Sequence, residues 1–154
     1  MREETIGCAV LDTGCNVNVC GAKWLEEYEE MLNKQDKKFM KEWKTDKYFR
    51  FGDGKSVKAY KKVKFPGYIG KERIDIVTEV IDSDIPLLLS KSFMKTLGMI
   101  INIGDDRIHW RKGDVKYLKI TSTGHYAVPI NKCQNFEDER SFMRYVLYSY
   151  GERD

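Results

Sequence analysis

The sequence predicts a mainly β single domain with helical segments, and three observations carry that expectation. Short β-prone runs recur on either side of Gly52-Asp53-Gly54, Gly104-Asp105 and Thr123-Gly124, the pattern of hairpins. One stretch of different composition, 22–47, places its apolar residues at mostly helical spacing. The 154 residues are 42% hydrophobic and 33% charged, the balance of one globular core, and no repeat, low-complexity segment or linker divides the sequence.

Residues 6–11 are a short apolar run ending in Asp12-Thr13-Gly14, which reads as a buried strand delivering a loop. Within 22–47 the apolar positions are Trp24, Tyr28, Met31, Leu32, Phe39, Met40 and Trp43. Glu26, Glu27, Glu29 and Glu30 come early and Lys34, Lys37, Lys38 and Lys41 late, which complements a helix dipole at both ends. Glu30 and Lys34 form a favourably oriented i,i+4 pair. The expectation is one long helix, or two broken near Asn33, packed on the β core through Trp24, Tyr28, Leu32 and Trp43. Partner binding and dimer extension are the other roles open to this stretch.

From Tyr48 the pattern turns to strands. Residues 48–51 and 55–65 flank Gly52-Asp53-Gly54. On the second run Val57, Ala59, Val63 and Phe65 share one face and Lys58, Tyr60, Lys62 and Lys64 the other, with Lys61 breaking the alternation. Residues 73–81 alternate Ile74, Ile76, Thr78 and Val80 as another strand. Residues 90–97 read as a short helix that Ser90 caps and Gly98 ends. A second hairpin is expected from 99–103 and 106–110, and a third from 115–120 and 125–130. The tail 136–150 reads as a helix, with Asn135 and Asp138 resembling a capping box and Gly151 closing it.

With 27 Lys and Arg against 24 Asp and Glu, the net charge of +3 is not that of a strongly basic nucleic-acid-binding domain, and any basic surface must be local. Nucleic acid is therefore not an expected partner of this domain. Apolar runs such as 85–89 and 99–101 fall far short of the roughly 20 residues that span a bilayer. The opening Met-Arg-Glu-Glu-Thr lacks the apolar stretch of a secretory leader, so a soluble, cytoplasmic protein with no membrane partner is expected. Cys8, Cys15, Cys20 and Cys133 are irregularly spaced and His109 and His125 are isolated, so neither a metal nor a cofactor is expected. Buried free thiols are the expected state of the cysteines.

Asp12-Thr13-Gly14 alone is a weak signal, but its setting is informative. The carboxylate ends an apolar strand, where burial would perturb its pKa. A glycine-tipped hairpin follows, and then an apolar segment, 80–90, leads into a short helix. This order resembles the retropepsin-like aspartic proteases of retroviruses and long-terminal-repeat retrotransposons, over roughly 6–110. It is similar in particular to retrotransposon Gag-Pol protease domains through Asp12-Thr13-Gly14-Cys15, Phe49-Arg50-Phe51-Gly52-Asp53-Gly54 and Pro86-Leu87-Leu88-Leu89-Ser90-Lys91. Gly124-His125-Tyr126 followed by Pro129 also looks like sequence found after the protease core of such elements.

The resemblance implies a closed β-barrel of the acid-protease type, with a helical insertion at 22–47 after the catalytic loop and an extension at 111–154 that ends in a C-terminal helix. It implies an endopeptidase whose Asp12, Thr13 and Gly14 supply half of the catalytic site. Two Asp12 carboxylates, one per subunit, would share a proton and activate a water. Thr13 would bond across the dimer and Gly14 would let the backbone pass close to the carboxylates. Asp53-Gly54, Asp82-Ser83-Asp84 and Ser122-Thr123-Gly124 do not supply a second Asp-Thr-Gly, so a homodimer is expected.

The hairpin over 49–60 would be a flap closing on an extended polypeptide substrate, with Phe51, Asp53, Gly54, Lys55, Leu88 and Leu89 as contacts. An ordinary surface hairpin is the plainer alternative. Its five lysines between Lys55 and Lys64 fit a solvated face, acidic substrates or RNA within a virus-like particle. Ser90 stands where family members commonly carry glycine. With 11 residues before Asp12, the N-terminal strand that retroviral enzymes contribute to the dimer sheet looks truncated, and either the sequence is cut there or strands such as those within 115–130 build the interface. Cys15 is either a buried inert thiol or a point of sensitivity to oxidation. Polyprotein maturation, a cellular retropepsin-like protease with a host substrate, and a catalytically silent dimerisation module are the functions open to this sequence.

Overall fold

The computed structural model describes residues 2–70, 72–109 and 115–131. The tail helix expected over 136–150 lies outside the described residues, as do Trp110 and Cys133. A 3-10 turn, Arg2–Thr5, leads into β1 (Cys8–Asp12). Alternation splits this strand as a two-sided sheet requires: Ala9 and Leu11 enter the main core, and Cys8 and Val10 the opposite face. After the Asp12 loop comes β2 (Val19–Gly21), followed by α1 (Ala22–Met31), α2 (Lys34–Lys37) and β3 (Lys41–Trp43). The hairpin β4 (Tyr48–Arg50) and β5 (Ser56–Lys58) precedes the two longest strands, β6 (Lys61–Ile69) and β7 (Glu72–Ile81). The short β8 (Leu87–Ser90) runs into α3 (Lys91–Thr96), and then β9 (Ile100–Asn102), β10 (Arg107–His109), β11 (Val115–Tyr117), β12 (Lys119–Ile120) and β13 (Tyr126–Pro129) follow.

Eight strands form one sheet in the order β12-β13-β1-β8-β2-β7-β6-β3, β9 to β11 form a second, and β4 and β5 pair alone. Among the described residues no pairing joins β3 to β12. No helix among the described residues is long and apolar enough to cross a membrane.

The core lies between α1 and one face of the large sheet. Trp24 and Tyr28 stack at 5.1 Å between ring centroids, with Phe65 of β6 tilted against both. The Trp24 indole N–H donates to the carbonyls of Thr5 and Cys8, and the Tyr28 hydroxyl reaches Pro66 O at 2.8 Å, so these large rings bury their polar atoms without loss. Val63, Phe65, Ile74, Ile76 and Val80 complete the floor, as the alternation of β6 and β7 requires.

Three expectations are corrected. Helix over 22–47 ends at Lys37, with a break at Leu32 and Asn33, whose side chain caps α2 by accepting from the Asp36 N–H at 2.8 Å. Lys41–Trp43 is instead an edge strand paired with β6, and Trp43 is 44% exposed where core packing was expected. In a strand Trp43 shares a face with Lys41, so helical spacing misplaced it. The run 55–65 is two strands: Ala59 N–H donates to Lys47 O and Tyr60 N–H to Val80 O, passing the chain from the hairpin to the main sheet, and Lys61 begins β6. The run 115–120 is likewise divided, β11 pairing with β10 and β12 with β13, while Leu118 N–H donates to Asp106 O between them.

Candidate active site

Asp12 stands at the C-terminal end of β1, which runs parallel to β8 with Asp12 opposite Ser90. Two parallel strands ending together present one loop and one helix start to the same side, and several bonds that hold the Asp12 loop come from these. Gly14 N–H donates to Asp12 Oδ1 at 3.0 Å and Cys15 N–H to Asp12 O at 3.1 Å. Lys91 N–H donates to Cys15 O, and the Ser92 hydroxyl donates to Asn16 O at 3.1 Å. An added Cβ at Gly14 would lie 3.3 Å from Asp12 Oδ1, so a larger residue would press on the carboxylate. In the single chain Asp12 is half-buried while Thr13 and Gly14 are exposed, less enclosed than a strand end in an apolar run led us to expect.

Asn18, which sequence reasoning passed over, is the brace of this loop. Its side-chain oxygen accepts from Ser90 N–H at 2.7 Å and its amide donates to Val77 O at 3.0 Å, tying the loop exit to β8 and β7 at once. Its partner Ser90 lies 72 positions away, so no local pattern marks it. Ser90 is 2% exposed and accepts from Phe93 N–H at 3.2 Å as the N-cap of α3. Gly21 is required outright: a Cβ there would sit 2.1 Å from Ser83 O and 2.7 Å from Ile85 O.

The hairpin β4 and β5 carries Asp53 and Gly54 at its tip. Gly54 adopts φ +80°, and Lys55 N–H donates to Asp53 Oδ1 at 2.9 Å, which shapes the turn. Asp53, Gly54 and Lys55 are exposed. Phe51 is half-buried and packs with Phe49 and Val57 over Val19, Ala59, Ile81, Ile85, Cys15 and Leu88. The structure thus brings Phe51 and Leu88 together next to the Asp12 loop. Leu89 is a correction: it is fully buried with Leu11 in the main core, because alternation on β8 sends Leu87 and Leu89 inward and Leu88 to the hairpin side. Ile81 and Val19 were missed as floor residues, since Ile81 falls on the face of β7 opposite to the alternation followed in the sequence.

Cys8, Cys15 and Cys20 are free thiols. Burial pushes the Cys8 thiol up to about 11 and Cys20 up to about 12. Cys15 is half-buried and raised as well, first by burial and then by the Asp12 charge, and its Sγ donates to Val17 O. A protonated thiol is a poor nucleophile, which fits the inert reading of Cys15.

The fold is retropepsin-like. The chain is similar to the crystal structure of the retroviral protease-like domain of Ddi1 from Leishmania major, with a TM-score of 0.50 and 16% identity over 72% of this chain and 83% of that chain. No family model matches the chain, and no curated protein sequence does.

Proposed function

We propose that this protein is an aspartic endopeptidase, active as a homodimer in which each subunit supplies one Asp12, and that it matures a retroelement polyprotein. The observation that carries the reading is the lone Asp12-Thr13-Gly14 loop held at the paired ends of β1 and β8 beside a glycine-tipped hairpin. With one such loop per chain, half a site is present, and a two-fold axis through the loops is the closed way to complete it. Thr13, exposed in the single chain, is then free to bond across the axis.

In the dimer the two carboxylates hold one proton between them. The ionised one removes a proton from water, whose oxygen attacks the peptide carbonyl carbon, while the protonated one donates to the carbonyl oxygen as negative charge develops there. Collapse of the tetrahedral intermediate expels the amine, which takes a proton from the dyad, and no covalent enzyme intermediate forms. The hairpin covers the peptide and excludes water, with Phe51 and Leu88 beneath it and Asp53, Gly54 and Lys55 above. Strands β12 and β13, at the end of the main sheet nearest β1, supply the subunit interface.

Peptide cleavage that is inhibited by pepstatin, lost in Asp12→Asn and confined to the dimer in sedimentation tests this reading, and a fully active monomer overturns it. The solved neighbour is a domain of Ddi1 from Leishmania major and not of a retroelement polyprotein, which favours a second reading, a cellular protease of the same mechanism with a host substrate. Self-cleavage of a longer precursor distinguishes the two.

A further inference from the structure

The even charge total conceals a segregation. Residues 37–64 carry eleven Lys and Arg against three Asp and Glu, which leaves sixteen basic against twenty-one acidic elsewhere. The fold gathers this segment into contiguous structure: the edge strand β3, the hairpin β4 and β5, and the first half of β6. Register places Lys41 beside Lys64 and Trp43 beside Lys62 on the face turned away from the core, and Lys47 shares with Lys62 the wall of a cavity of about 350 Å³.

The acids on this surface are mostly engaged. Glu42 pairs with Lys61 at 3.0 Å, Asp75 holds Arg73 and Lys64, and Glu79 is buried and accepts from the Thr45 hydroxyl at 2.8 Å. Asp46 and Asp53 remain exposed. Among the described residues Lys41, Lys44, Lys47 and Lys62 make no ion pair.

Aromatic rings interleave these cations. Trp43 is 44% exposed, Tyr60 51% and Tyr48 64%, with Lys58 above the Tyr48 ring at 5.7 Å and Lys61 beside Tyr60 at 5.9 Å. Lysines on an edge strand also guard it against pairing with another chain. That role needs charge alone and leaves the exposed rings, Trp43 above all, without a purpose.

We propose that the outer face of β3 and β6, with Trp43 at its centre, binds single-stranded nucleic acid. Lys41, Lys44, Lys47 and Lys62 contact successive phosphates, and Trp43 stacks on a base, the combination by which strands are held without sequence readout. Glu79, recessed in the cavity, keeps phosphates at its rim. The cavity at its rim reaches Asn18 and Ser90, which brace the Asp12 loop, but binding on the outer face uses no residue of Asp12-Thr13-Gly14 and does not depend on proteolysis.

The test is fluorescence anisotropy of a labelled oligouridylate of about twelve nucleotides, within the usual site size of such domains, titrated with the full chain. Saturable binding is expected, with the logarithm of the association constant falling against the logarithm of salt with a slope near −3, about −0.7 for each of roughly four phosphates. Trp43→Ala should weaken binding about tenfold while Trp43→Phe retains most of it, and the pair Lys41→Glu with Lys62→Glu should abolish it. All these side chains are exposed, and unchanged thermal melting of the variants separates loss of binding from loss of fold. Absence of binding overturns the proposal. So does equal affinity for a polyglutamate peptide or phosphatidylserine vesicles that is insensitive to Trp43→Ala, which would define a general anion surface.

Discussion

Replacing Asn18 with alanine removes two hydrogen bonds that brace the candidate catalytic loop. Ser90 is 2% exposed, and its N–H, now 2.7 Å from Asn18 Oδ1, would lose that partner. An unsatisfied buried donor costs about 1–3 kcal/mol. The bond from Asn18 to Val77 O at 3.0 Å is only part-buried, and losing it costs about 0.5–1 kcal/mol because water can replace the donor. The sum is roughly 1.5–4 kcal/mol, a large share of the 5–15 kcal/mol typical of a domain but short of unfolding it.

The same variant frees the loop exit from β8, whose Ser90 is the register partner of Asp12, so the proposed cleavage should fall with the Asp12 carboxylate still present. Urea unfolding reads the stability, and kcat/KM on a cleaved peptide reads the site. Asn16→Ala is the control: Asn16 is exposed and its contacts to Ser92 and Cys15 are made by its backbone, so its stability should stay within about 0.5 kcal/mol of the parent. Equal behaviour of the two alanine variants would refute the brace.

Asp12→Asn should keep the fold, since an amide oxygen can still accept from Gly14 N–H, and should eliminate peptide cleavage, measured beside a thermal melt. Gly21→Ala drives a Cβ to 2.1 Å from Ser83 O with backbone on both sides, so a loss above about 3 kcal/mol, or insoluble protein, is expected, and a change below 1 kcal/mol would contradict the geometry. Trp24→Ala should cost about 3–5 kcal/mol in denaturant unfolding, more than any single exposed aromatic such as Trp43. Burial raises Cys8 from an ordinary 9.0 to about 11, so the folded chain keeps a proton that the unfolded chain releases. That contribution is complete below pH 9 and is lost as pH rises toward 11, at about 1.4 kcal/mol per pH unit, and Cys8→Ala should make the alkaline decline in stability shallower.

Features that depend on neighbouring residues were legible. Ser90 and Gly98 bound α3 because capping and a left-handed stop act within one turn of chain. The alternation of Ile74, Ile76, Thr78 and Val80 marked the buried face of β7 because side chains on a strand alternate whatever the partner. Apolar spacing placed Trp24, Tyr28 and Leu32 in the core for the same kind of reason. Trp43 failed because Lys41–Trp43 is a strand only by virtue of β6, twenty residues further on, and local spacing could not distinguish that pairing from one more helical turn. Leu89 failed because two adjacent leucines look alike until the sheet decides which faces the core.

For the site, the sequence by itself determined the chemistry on offer: one Asp-Thr-Gly loop after an apolar strand, followed by a hairpin tipped with Gly52-Asp53-Gly54. These are covalently contiguous, and turn chemistry is set by adjacent residues. Only the tertiary structure decided what surrounds them. It set Asp12 against Ser90, recruited Asn18 as a brace across 72 positions, and collected scattered lysines around an exposed Trp43. Such arrangements follow from strand pairing between distant segments, whose register is chosen by the buried faces of the whole sheet and is written in no single stretch of chain.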